Sequence, residues 1–216
     1  MNISLFLRRS ALVVLRAAAT LLLLAFCLHY VFLWDRVWLT LLWVQAAGVL
    51  ASAVYCRKWM LLPVIAAVTV AVLPVALLVV WLLGADRLFA PSWLIPVAAL
   101  LGAQSLYVAR HALSDYALNR RQSRSLYEYL RANGATELEA QRPFVVRSLG
   151  RAYTPVLSKA LLAGIVFVPS LLCGLLMGGV PPLRAAWTVA VVTAGAQCSA
   201  LLAFAAALYI YYKLSR

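Results

Sequence analysis

Acidic residues are scarce in this 216-residue chain: six aspartates and glutamates stand against nineteen lysines and arginines, for a net charge of +13. Charge of either sign is thin as well, at 12% of residues, about half the share found in soluble domains. With 66% apolar residues and a mean hydropathy of +0.95, that poverty of charge excludes an ordinary soluble fold. The four cysteines, Cys27, Cys56, Cys173 and Cys198, sit singly in apolar runs with no C-x-x-C or C-x-x-H spacing, which excludes the usual zinc and redox motifs and leaves them as small core residues. No G-x-x-x-x-G-K-[ST] occurs, so the chain has no phosphate-binding loop and cannot hydrolyse ATP by that route. H-E-x-x-H and G-x-S-x-G are missing too, and no pair of acids at membrane depth offers a proton relay. No cluster of lysine and arginine lies in a soluble module with stacking aromatics, so the positive charge does not point to nucleic acid.

What the chain has in abundance is apolar runs of bilayer-crossing length, roughly 20 residues each. They predict an all-α, polytopic membrane protein, a single domain over residues 1–216, with six transmembrane helices at about 11–33, 37–55, 60–83, 91–110, 152–177 and 183–212. A polar arm at 111–151 separates the fourth from the fifth. The Leu24-Ala25-Phe26-Cys27 sequence is only faintly like a lipoprotein cleavage site, because Phe26 is too bulky for the position before the cysteine; the first run is read as a span. Pro63 is expected in the first turn of span three, and Pro74 is expected to kink it. Positive charge sorts the ends: Arg8, Arg9, Arg57, Lys58, the arm, Lys213 and Arg216 fall on one side, and only Arg36, Arg87 and Arg184 on the other. By the positive-inside rule both termini and the arm are cytoplasmic, which an even number of spans requires. In a bacterium the corresponding bilayer is the inner (plasma) membrane.

Between Arg110 and Arg151 lie eight of the nineteen basic residues and four of the six acids. Asp115 to Arg131 predicts a helix continuing out of span four, with Leu118, Leu126, Tyr129 and Leu130 broadly to one side. Asn133-Gly134 stops it, since either residue past the last turn takes the left-handed cap. Thr136 has Glu139 three positions later, the capping-box pattern for a new helix beginning at Glu137, with Pro143 in its early turns. The expectation is a short helix held across the cytoplasmic face.

Here the sequence resembles the permease subunits of ABC transporters, and more narrowly the FetB-type family associated with bacterial iron export. The resemblance is densest from Gly134-Ala135-Thr136 to Pro182 and continues without gaps through Ala140, Ser148, Pro155, Gly164, Pro169, Gly174 and Gly179. Ile95-Pro96 and Arg16-Ala17 also match. It implies that Gly134, Ala135, Thr136, Glu139, Ala140 and Arg147 form a coupling helix fitting a groove in a separate ABC ATPase subunit. That partner would hold the ATP and magnesium, and this chain would bind no cofactor of its own and have no enzymatic activity. It implies further a homodimer in the lipid bilayer exporting a metal ion such as iron, with no nucleic acid involved. The chain departs from the family where a metal path runs. Val168-Pro169-Ser170-Leu171-Leu172 replaces Leu-Pro-Gly-Met-Met, Ala99-Leu100 and Gln104-Ser105-Leu106 replace Gly-Met and Asn-Ala-Met, and Thr20 replaces a glutamine. Each swap removes a soft or polar group. The family also carries an additional amino-terminal helix in many members.

Proline and glycine at Pro155, Gly164, Pro169 and Gly174 make span five the natural hinge, because carbonyls freed opposite a proline are tolerated only against protein or water. Arg16, Gln104, Ser105, Ser170 and Gln197 are the candidates for a transport path. Most other intramembrane polar groups read as hydrogen bonds between helices, and Arg16 reads equally as a snorkelling anchor. Two other classes stay open: a membrane scaffold whose basic arm binds anionic headgroups, and a secondary carrier.

Overall fold

The computed structural model describes residues 3–34, 36–56, 58–84, 88–162 and 170–214, with side chains from residue 12 onward except residue 17. Every regular element among them is a helix: α1 (Ile3–Trp34), α2 (Val37–Tyr55), α3 (Lys58–Leu82), α4 (Pro91–Gln122), α5 (Arg124–Ala132), α6 (Glu137–Leu162), α7 (Ser170–Met177) and α8 (Pro182–Leu214). Five of these, α1 to α4 and α8, are long and apolar enough to cross a bilayer. Unpaired backbone groups cost several kcal/mol each in hydrocarbon, and the helix satisfies them within one segment.

α3 is the axis of the bundle. Val64, Ala67, Val68, Ala71, Val72, Ala76, Val79 and Val80 are buried along it, and α4 and α8 pack on it and on each other. Close approach comes from small side chains. α8 turns Ala196, Ala200, Ala203 and Ala207 inward at helical spacing, and α4 contributes Ala98, Ala109 and Ala112. At Gly195 the helices are so near that a Cβ there would overlap Val79 Cγ2. α2 lies against α3 and α4, α6 against α4, and α7 against α8, while α1 sits at the margin with Val31 its one buried apolar residue among those described.

Three expectations change. α3 starts at Lys58, so Pro63 falls in its second turn, and the helix runs unbroken through Pro63 and Pro74. α4 continues past residue 110, as the helix expected to run on out of span four does. With 32 residues it is roughly 48 Å long, well beyond a hydrocarbon core of about 30 Å, because no glycine or proline after Gly102 interrupts its hydrogen bonds. It breaks instead at Ser123, whose φ of −113° and ψ of 42° separate it from α5, so the single helix expected from Asp115 to Arg131 is two. The third change concerns the arm. α6 begins at Glu137 and continues to Leu162, carrying the candidate coupling residues from Glu139 to Arg147 and the first part of the expected fifth crossing on one helix. Residues 163–169, the middle of that crossing, lie outside the described residues.

Candidate functional site

The arm is built by two helix-end motifs. α5 closes at Asn133, and Gly134 follows at φ +85°. The Ala135 N–H then reaches the Leu130 carbonyl at 3.1 Å and the Gly134 N–H the Arg131 carbonyl at 3.2 Å, the paired bonds of a Schellman stop. The Asn133 amide donates to the Tyr129 carbonyl (2.8 Å) and Arg131 Nη1 to that of Ala135 (2.8 Å). Glu139 Oε2 accepts from both the Thr136 backbone N–H (2.8 Å) and the Thr136 hydroxyl (2.7 Å), and the Glu139 N–H points back at Thr136 Oγ1 across 3.4 Å. α6 therefore starts where the capping pattern predicts, at Glu137. The Thr136 hydroxyl first, and its N–H second, hold the Glu139 carboxyl below the usual carboxylate range.

Beyond the cap the arm does not hang free. Tyr212, near the end of α8, donates its hydroxyl to Glu137 Oε2 at 2.6 Å, and Tyr116 of α4 donates to Gln141 Oε1 at 3.1 Å. Gln141 Nε2 in turn faces Glu137 Oε1 at 3.5 Å. The first turn of α6 is thus stapled to two other helices, and Tyr116 and Tyr211 meet edge to face beside the staple with ring centres 6.2 Å apart. Below it Ala140, Gln141, Phe144, Ser148 and Ala152 turn inward, mostly four residues apart, so one narrow face of α6 lies on the bundle. Leu138, Glu139, Arg142, Pro143, Val146 and Arg147 are exposed on the rest.

The coupling candidates therefore divide. Gly134, Thr136, Glu139 and Arg147 are exposed and Ala135 is half-buried, but Ala140 is fully buried. Of the hinge candidates, Pro155 is exposed inside α6, which runs through it without a break, and Gly174 is exposed in α7. Gly164 and Pro169 lie outside the described residues. Among the path candidates, Ser105 and Ser199 are joined across α4 and α8 by a 2.9 Å hydrogen bond, and Ser199 donates onward to the Ala196 carbonyl at 3.0 Å. That pair is satisfied glue. Gln104 Nε2 and Gln197 Oε1 are buried atoms with no protein partner, each costing about 1–3 kcal/mol if left unmatched. Arg16 is exposed on α1, and Ser170 is exposed at the start of α7. A cavity of about 440 Å³ between α1, α2, α3 and α4 is walled by apolar groups apart from Gln45 and Thr69, and the Thr69 hydroxyl is occupied by the Ala66 carbonyl at 3.0 Å. Among the described residues no three His, Cys, Asp or Glu side chains converge.

Tyr116, Gln141 and the bonding role of Tyr212 were not read from the sequence, whereas Ser199 forms the bond between helices expected of intramembrane polar groups. The available signals were weak ones: Gln141 four residues after Glu137, and a Tyr211-Tyr212 pair in what reads as an interfacial belt.

A bundle of long apolar helices with a capped, stapled arm between α4 and α6 defines a multi-pass membrane protein. The family described as Uncharacterised protein family (UPF0014) matches residues 4–215, and the chain belongs to it. It is 33% identical over 97 residues to the UPF0014 membrane protein STAR2 of Oryza sativa subsp. japonica, a stretch covering 45% of this chain and 34% of that protein. Over 97 residues it is also 30% identical to Protein ALUMINUM SENSITIVE 3 of Arabidopsis thaliana, covering 45% of this chain and 36% of that one. The chain thus aligns with about a third of the length of these relatives. No solved structure matches it.

Proposed function

We propose that this protein is the membrane-spanning permease subunit of an ATP-driven transporter, powered by a separate ABC ATPase that docks on the arm. Two copies, each crossing the bacterial inner membrane six times with both ends in the cytoplasm, form the path, and the partner supplies bound ATP and magnesium. The observation that carries this reading is the continuity of α6 from its cap at Thr136 to Leu162. A displacement of the arm is carried toward membrane depth along one continuous helix. The Tyr212–Glu137 and Tyr116–Gln141 bonds hand the same displacement to α8 and α4. Leu138, Arg142, Val146 and Arg147 offer the partner a mixed apolar and cationic face.

The path runs along the α4–α8 seam; Gln104 of α4 and Gln197 of α8 each keep one buried amide atom, Nε2 and Oε1, without a partner inside the protein. Ser170, Arg16 and, in that seam, Ser105 are the further candidates for it, and the proline and glycine positions of the fifth crossing, Pro155, Gly164, Pro169 and Gly174, let that crossing bend. The cargo is an exported metal ion such as iron, a choice supported by the resemblance to iron-export permeases and by the aluminium in the Arabidopsis relative's name.

The test reconstitutes the protein with its ATPase subunit in sealed vesicles loaded with ferrous iron. Arg147→Glu, which alters an exposed residue, is expected to lower stimulation of the partner's ATPase roughly tenfold, the effect of about 1.4 kcal/mol, while insertion is unchanged. Undiminished stimulation in that variant sinks the docking face. Iron efflux that proceeds without ATP would instead mark a secondary carrier.

A further inference from the structure

Where α4 gives way to α5, a cavity of about 390 Å³ is lined by Arg120, Arg121, Arg124, Tyr127, Glu128 and Tyr211. Three guanidiniums face one carboxylate there. The carboxylate is committed to Arg124, at 2.7 Å, in an ion pair whose side chains are 82% and 61% exposed. A pair so open to water contributes at most about 1 kcal/mol and is readily exchanged for a stronger anion. Arg121 is exposed and makes no hydrogen bond or ion pair among the described residues. Arg120 lies 5.3 Å over the ring of Tyr127 and also interacts with the Tyr116 hydroxyl, which keeps its guanidinium beside the cavity. At the far wall Tyr211 is packed edge to face against Tyr116 and Trp59. The first turn of α5, which opens into the same corner, contains no acid and has no side-chain cap to oppose an anion.

Guanidinium forks converging on one small cavity match the oxygens of a phosphate group, which accepts paired N–H bonds in that geometry. We propose that this corner is a binding site for a phosphate-bearing ligand, held by Arg120, Arg121 and Arg124. Because its walls come from α4, α5 and α8, a ligand seated there ties together the two helices that meet at Ser123 and the helix that staples the arm. Occupancy sets the angle at which the arm leaves the bundle. The inference stands apart from the transport reading, since binding is read without any ATPase partner. Two sources carry the same chemistry: the headgroup of an anionic phospholipid, and a soluble phosphate ester or pyrophosphate.

The experiment uses the full chain in two kinds of nanodisc. In neutral phosphatidylcholine discs, inorganic pyrophosphate is titrated and followed by calorimetry. In discs that also contain phosphatidylglycerol, the lipids that stay with the released protein are counted by native mass spectrometry. Arg121→Gln is expected to weaken binding, in whichever arm shows it, roughly tenfold, and Arg120→Gln with Arg121→Gln to abolish it. Arg151→Gln removes an equal charge from α6 outside the cavity and is expected to leave binding unchanged. Retained phosphatidylglycerol without pyrophosphate binding identifies the headgroup as the source, and the converse identifies a soluble phosphate. No binding in either arm overturns the proposal. So does an equal loss in Arg151→Gln, which would reduce the effect to the diffuse attraction of a basic surface. Melting temperatures of all three variants distinguish lost binding from lost fold.

Discussion

At the scale of single residues, the turn at Gly134 and the cap behind it decide where the arm points. Gly134 has φ +85° with nothing within 4 Å of a would-be Cβ, so Gly134→Ala meets no clash and only backbone strain. The expected cost is about 1–2 kcal/mol, seen as faster hydrogen exchange at Ala135 and Gly134 with little change elsewhere. Thr136→Ala removes the cap that starts α6 and should cost about 1 kcal/mol, read in the same experiment at Glu137 to Glu139. The cap also depends on pH. Hydrogen bonds from Thr136 lower the Glu139 pKa in the folded protein, so its contribution is complete above the ordinary carboxylate range and fades as pH falls through the lowered folded value. Amide protection at Thr136 should fall on that acid limb and stay level toward neutrality; protection that rose on acidification would contradict the assignment.

Between elements, what matters is how helices hold one another. Tyr212→Phe takes the donor from Glu137, and Tyr116→Phe takes it from the buried Gln141. Each is expected to cost about 1–2 kcal/mol and to raise exchange along the first turns of α6, with the two effects less than additive because Glu137 and Gln141 face each other. A double-mutant cycle measures that coupling. At the α3–α8 crossing, Gly195→Ala would force a methyl into the β-branched Val79, which has no free rotamer to yield. A loss of about 1–3 kcal/mol in thermal stability is expected, largely restored by Val79→Ala in the same chain. Failure of that rescue would mean the crossing is not tight at this point.

For the molecule as a whole, the open quantity is the number of crossings. Five described helices are long and apolar enough to span, and the sixth depends on α6 and α7 belonging to one traverse. Single cysteines placed at Leu88, Leu126 and Pro181 in a cysteine-free background settle this by labelling with an impermeant maleimide in intact cells. If α6 and α7 cross, Leu88 and Pro181 label from outside and Leu126 does not. If they do not cross, Pro181 shares the protection of Leu126.

Much was legible in the chain itself. Apolar length set the helices, because backbone in hydrocarbon has only itself to bond with, and the Gly134 turn and Thr136–Glu139 cap could be read because they bond within a few residues. Local rules did not reach the rest. The break at Ser123 carries no proline or glycine signal, and α6 passes through Pro143 and Pro155 because one face of it is held against the bundle. The burial of Ala140 and the staple of Tyr116, Gln141 and Tyr212 arise only when positions as far as 75 residues apart are brought together. Hydrogen bonds within a turn are written in neighbouring residues; contacts between helices are decided by which faces the whole bundle leaves to meet.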